Sequence, residues 1–288
     1  MSGTRRKNYT YEPPRIVRAE RFITEMPGSS RAVLLEADDG NRYTVKTAHR
    51  TALPRLLANE YVATRLAGAL HLPITALAIV HLTLPFLRSN FPAIKKTRSG
   101  PEWFVPGEAF GSLTQTAVAN SREAPALALH AANRHAFASI LLFDLWTANL
   151  DTRQVAFETL GGRTWAKMID QGHCFNAGEW GSLASTRAWP LFCHAGVYSA
   201  VSTWRAFEPQ LGRIEAVEAA DVLAATESMP PHWCARADLI GLANALVSRA
   251  TTLRDRITEV LVARSDLFPR WFRTRSAKPT EPPIQAIA

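Results

Sequence analysis

The chain has 288 residues, 47% of them hydrophobic, enough for two lobes or one large domain with a substantial core. Its three cysteines, Cys174, Cys193 and Cys234, are too few and too uneven for a disulfide framework and fit a reducing cytoplasm. The formal charge of +8 admits phosphate-rich partners, nucleic acid among them. Much of the excess is terminal, in Arg5, Arg6, Lys7, Arg270, Arg273, Arg275 and Lys278, and no zinc-finger or RRM signature accompanies it.

Residues 1–13 read as a flexible arm, basic but without the apolar core of a secretory signal, so the cytoplasm is the expected location. RIVRAERFITEM, SRAVLLEAD and NRYTVKTA follow as three strand-like runs. Asp38-Asp39-Gly40-Asn41 between the last two is a hairpin signal. Apolar residues at helical spacing predict a helix from Leu53 to Leu70. From Leu66 to Leu87 no Asp, Glu, Lys or Arg appears, a length that nominally spans a bilayer. His71, Pro73, His81 and Pro85 interrupt it, so a helix tail followed by a buried strand over 74–82 is the better reading, and no membrane span is expected.

Five prolines over 83–125 predict an irregular connector. Beyond it the chain reads as helical near 126–147, 194–204, 208–226 and 235–263, and 264–288 reads as a flexible tail. The expected plan is α+β and bilobal, with a sheet-rich N-lobe over 14–110 and a mainly helical C-lobe over 111–263.

Within the C-lobe, NLDTRQVAFETLGGRTWAKMIDQG displays Asp151 just after an apolar helix and Asp170 after a small hairpin closed by Gly161-Gly162. Two loop carboxylates suit phosphoryl transfer: one accepts the proton of an attacking hydroxyl, the other holds a divalent metal against nucleotide phosphates. Asp in loops is also common turn chemistry. Upstream, Lys46 lies on a strand and Glu60 on the following helix, an order in which the lysine meets phosphates and the glutamate orients it.

Three His-Cys pairings, at 173–174, 193–194 and 232–234, suggest zinc at first sight. Adjacent residues rarely ligate one metal together, and there is no Cys-x-x-Cys, so buried thiols and satisfied histidines are expected instead. The eight tryptophans are read chiefly as core mass.

YTVKT, NEYVATRLAGALHLPI, FGSL, LLFDLWTANLDTRQ and MIDQGHCFNAGEW together resemble the HipA-like kinase family, in order, over most of 15–265. The resemblance implies a protein-kinase-like fold, ATP and Mg2+ as cofactors, and transfer of the γ-phosphoryl group to a Ser/Thr hydroxyl of a protein. It assigns Lys46 to the phosphates, Glu60 to its helix partner, Asp151 to catalysis and Asp170 to metal. Gly28, Ser29 and Ser30 fall in the place of the phosphate loop, and Phe110-Gly111-Ser112 on the hinge side of the adenine pocket.

One departure stands out. The usual pattern has a metal-binding asparagine five residues after the catalytic aspartate; here that residue is Ala156. Three outcomes stay open: Asn149 or Gln154 supplies the ligand, one metal suffices, or the chain is a pseudokinase that binds nucleotide or a regulatory protein partner with little transfer. Asn149 and Asp170 together make the expected metal set.

Overall fold

The computed structural model describes residues 9–26, 32–47, 53–90, 96–97, 100–101, 105–114, 117–187 and 191–273. Strands β1 (Arg15–Glu25), β2 (Val33–Ala37) and β3 (Arg42–Lys46) follow the sequence reading closely. Val33, Leu35 and Ala37 alternate inward along β2, the period-2 signature of a strand with one buried face. At the β2–β3 turn the Asp39 carboxylate accepts the Asn41 backbone N–H at 3.0 Å and the Tyr43 hydroxyl at 2.7 Å.

Helix α1 (Leu53–Ala69) then leads to β4 (Leu77–Leu82), α2 (Leu84–Asn90), the short ladder β5 (Lys96–Thr97) and β6 (Gly100–Pro101), β7 (Gly107–Leu113) and β8 (Ala117–Asn120). Strands β1-β2-β3-β7-β4 close into a barrel, with β1 and β4 parallel, and closure removes unpaired sheet edges. Val17, Leu35, Tyr43, Val45 and Val80 fill it together with Phe86 and Leu87 of α2.

The connector expected over 83–125 is therefore not irregular throughout, since α2 and β7 lie within it. Phe110-Gly111-Ser112, expected beside the hinge, is the middle of a barrel strand that runs to Leu113. GEAFGSL hides this because its glycines read as breakers. Gly111 is instead a packing residue: a Cβ there would lie 2.6 Å from Val80 Cγ2.

The rest of the chain is built on α3 (Ala136–Thr147), whose residues from Phe137 onward are almost all buried, as an all-round apolar helix requires. Ala148, left-handed at φ 47°, ends it and turns the chain into the loop carrying Asp151. Strands β9 (Gln154–Leu160) and β10 (Arg163–Ile169) form a hairpin that joins β8 in a three-stranded sheet. Gly161 and Gly162 both have positive φ, as a two-residue type I′ turn demands. Helices Glu208–Glu215, Ala219–Ala225, Arg236–Thr251, Leu253–Ala263 and Pro269–Arg273 follow.

Helix α1 does not share the barrel's core. Its buried Leu57, Tyr61, Val62 and Leu66 belong to the large cluster built on α3 and the later helices, which Ile79 and Phe110 join from the outer face of the barrel. The ends of the described chain are anchored too. In the expected arm, Tyr9 and Tyr11 pack on that cluster, the Tyr9 hydroxyl donates to the Arg213 carbonyl, and the Arg65 guanidinium lies 5.3 Å from the Tyr11 ring. In the expected tail, Leu267, Phe268 and Trp271 are buried; aromatic mass overrides the polar composition around it. Among the described residues no helix is long and apolar enough to cross a membrane.

Gly111→Ala should overpack the barrel and destabilise the protein by about 1–3 kcal/mol, read as a lower urea midpoint. An unchanged midpoint would mean that the barrel interior yields more readily than its contacts indicate.

Candidate active site

The end of β3, the middle of α1 and the end of β10 meet at one cation. Lys46 Nζ donates to Glu60 Oε1 and, at 2.6 Å, to Asp170 Oδ1. Glu60 is buried, and its second oxygen accepts the backbone N–H of Gln171 at 2.8 Å. Burial alone would pull the Lys46 ammonium down, but the two carboxylates outweigh it and raise its affinity for the proton. Burial pushes the Glu60 carboxyl up against the pull of Lys46. Burial would likewise raise Asp170, yet Lys46, with His173 and Arg153 behind it, holds that carboxyl at about 2.

The two loop aspartates are joined by one side chain. Gln154 Nε2 donates to Asp170 Oδ2 at 3.0 Å and to Asp151 Oδ2 at 3.2 Å. It can do so because Gln154 opens β9 directly opposite Ile169, the residue before Asp170. Ala156 lies two residues further into the strand, opposite Lys167 and buried. Counting five residues from Asp151 therefore lands inside the sheet. The carboxamide that faces the carboxylates comes from position 154.

Asn149 faces the other way. Its Oδ1 accepts the Asp151 N–H at 3.2 Å and its Nδ2 donates to Asp144 Oδ1 at 3.2 Å, so it shapes the loop from inside instead of joining Asp170 as expected. Beneath it Arg153 and Asp144 form a buried ion pair, with Arg153 also donating to the Ile169 carbonyl at 3.0 Å and Gln171 Oε1 at 2.7 Å. One guanidinium thus ties α3, the Asp151 loop and the Asp170 loop together. Gly28, Ser29 and Ser30 lie outside the described residues.

The donor set suits a hard divalent cation. Asp170 and Asp151 offer carboxylate oxygens and Gln154 an amide oxygen once its carboxamide rotates, and small hard cations take such ligands with phosphate and water completing the shell. Among the described residues no group of three His, Cys, Asp or Glu side chains forms an all-protein metal cage. Cys174 is buried, and burial pushes its thiol up to about 12, which leaves it unreactive. Cys193, expected buried, is exposed, and Cys234 is intermediate.

Residues 20–161 match the family model described as HipA-like kinase. Over that span the chain resembles the HipA-like kinases. The matched span takes in Lys46, Glu60, Asp151 and Gln154 and stops before Asp170. Solved kinases share the fold over most of the chain. The Helicobacter pylori proinflammatory kinase CtkA superposes with a TM-score of 0.52 at 10% identity, covering 86% of this chain and 100% of its own. Hydra Fam20 with sugar gives 0.53 at 11% identity, covering 86% and 87%. The Golgi casein kinase with Mn/ADP bound gives 0.50 at 11% identity, covering 90% and 75%. At such identities the likeness is one of fold. No curated protein matches the sequence.

The depressed Asp170 carboxyl sets a pH dependence. Its folded value lies below the ordinary 3.8, so the ionised group adds stability above that value and loses it as pH falls from 3.8 towards about 2, by about 2 kcal/mol in all. Urea midpoints recorded down the acid limb should fall through this window in the native chain and lose that component in Asp170→Asn. Matching acid profiles would contradict the ion pair.

Proposed function

We propose that this HipA-like protein is an ATP-dependent kinase acting on a Ser/Thr hydroxyl of a protein. The observation that carries the reading is the single constellation in which Lys46, Glu60, Asp170, Gln154 and Asp151 are linked in series by hydrogen bonds. Lys46, oriented by Glu60, is placed to meet phosphate oxygens; Asp170 and Gln154 would hold the divalent ion, which when bound neutralises phosphate charge. Asp151 is partly exposed and stands on a loop where a substrate hydroxyl can reach it.

In the transfer, the hydroxyl oxygen bonds to the γ-phosphorus while the bond from that phosphorus to the bridging β–γ oxygen breaks. The electron pair leaves with ADP, and the hydroxyl proton passes to Asp151. The protein's part is positioning and electrostatics, and rigid elements supply both. The pseudokinase alternative drew its support from Ala156. The β9 register weakens that support, because Gln154 takes the place opposite the end of β10. Mn/ADP in the Golgi casein kinase structure is consistent with nucleotide and a divalent ion here.

Radiolabelled ATP incubated with candidate protein substrates tests the proposal. Asp151→Ala should lower label incorporation by about a hundredfold or more, the usual contribution of a positioned base. Equal labelling by the native and Asp151→Ala chains would remove Asp151 from the role.

A further inference from the structure

The backbone around Asp170 holds conformations that L-residues avoid. Asp170 has φ 61°, and Phe175, Asn176 and Ala177 follow at 56°, 57° and 51°. Left-handed backbone costs about 1–2 kcal/mol per residue and persists where the surroundings over-determine it. Between these two strained stretches a buried side chain of α1 grips the backbone. Asn59 Nδ2 donates to the carbonyls of Gly172 and Cys174, both at 2.8 Å, while its Oδ1 accepts the Trp180 indole N–H at 2.9 Å. The opposite amide orientation would set N–H against N–H and oxygen against two oxygens, so the three partners fix it.

The neighbouring residues complete the grip. Glu60 accepts the Gln171 N–H, and Gly172 leaves room for it, since a Cβ there would lie 3.0 Å from Glu60 Oε1. The Trp180 ring packs edge-on against Phe175 with centroids 6.4 Å apart, and the Arg55 guanidinium lies 5.2 Å from its centroid. The segment from Asp170 to Trp180 thus leaves α1 at Glu60 and returns to it at Asn59.

We propose that Asn59 is a positioning residue for the metal-holding loop. With Trp180 it latches residues 170–177 to α1, so that Glu60 and Asp170 are carried as one body and Asp170 keeps its left-handed conformation. The inference rests on the reading of Asp170 as the carboxylate that holds the metal. A buried asparagine serving stability alone would lower the unfolding temperature and leave metal affinity untouched.

The test uses the full chain with saturating ADP and a Mg2+ titration, read as the Mg2+-dependent rise in unfolding temperature, together with amide hydrogen exchange at 170–177 without metal. Asn59→Ala should raise the Mg2+ concentration at half-maximal effect about tenfold, the lower end of what outer-shell partners contribute to metal sites, and should speed exchange at 170–177. Trp180→Phe keeps an aromatic ring in place but removes the N–H together with part of the indole bicycle, and both readouts should move the same way by less. Half-maximal concentrations and exchange unchanged in both variants would overturn the latch, whatever happens to the baseline unfolding temperature. If Asn59→Ala does not fold, Trp180→Phe decides by the same criterion. Asp170→Asn separates the two readings. Loss of the Mg2+ effect there, with the other two variants unchanged, defeats the latch alone; survival of the effect defeats the site reading beneath it.

Discussion

One cation between two carboxylates organises the candidate site. Lys46 comes from the barrel, Glu60 from α1 and Asp170 from the end of the β9–β10 hairpin, and no two of them are close in sequence. Taking three charged groups out of water is costly unless each is paired and hydrogen-bonded. The surrounding elements meet that condition: Lys46 serves both carboxylates, Gln171 supplies an N–H to Glu60, and Gln154 covers the second oxygen of Asp170. The arrangement leaves Asp170 ionised far into acid, and in the proposed reaction Lys46 would meet phosphate oxygens.

Helix α1 links this centre to the large core. Because its apolar face packs with α3 and the later helices, Glu60 is held by the same body that holds Asp170. The barrel, with a separate interior, contributes Lys46 through one strand. Relative motion of barrel and helices would therefore change the Lys46 contacts first, while the Glu60–Gln171 contact and the Arg153–Asp144 pair stay within one packed unit. Rigid elements beneath a site are what keep catalytic groups within the tolerance that phosphoryl transfer requires.

Much of this was legible in the residues. The strands before Lys46, the helix carrying Glu60, the hairpin between the two aspartates and the family resemblance all followed from period, turn chemistry and motif order. What was hidden was register and long-range packing. Counting along the chain made Ala156 a missing ligand, whereas the pairing of Gln154 with Ile169 puts a carboxamide on both carboxylates; the signal was the hairpin itself, since Gly161-Gly162 fixes which residues face each other. Asn149 looked available because its partner Asp144 lies on a helix face that sequence alone cannot orient. Strand β7 was lost among prolines and glycines. Nothing in the sequence singles out Asn59, because nothing local reveals that it meets carbonyls more than a hundred residues away.

In the proposed function, Asp170 and Gln154 hold a divalent ion against nucleotide phosphates that Lys46 also meets. A crystal structure with Mg2+ and a non-hydrolysable ATP analogue tests it most directly. The expected result is Asp170 and the Gln154 amide oxygen on the metal, Lys46 on phosphate with Glu60 still beside it, and Asp151 facing the γ-phosphoryl group. Metal bound away from Asp170, or nucleotide seated elsewhere on the molecule, would contradict it.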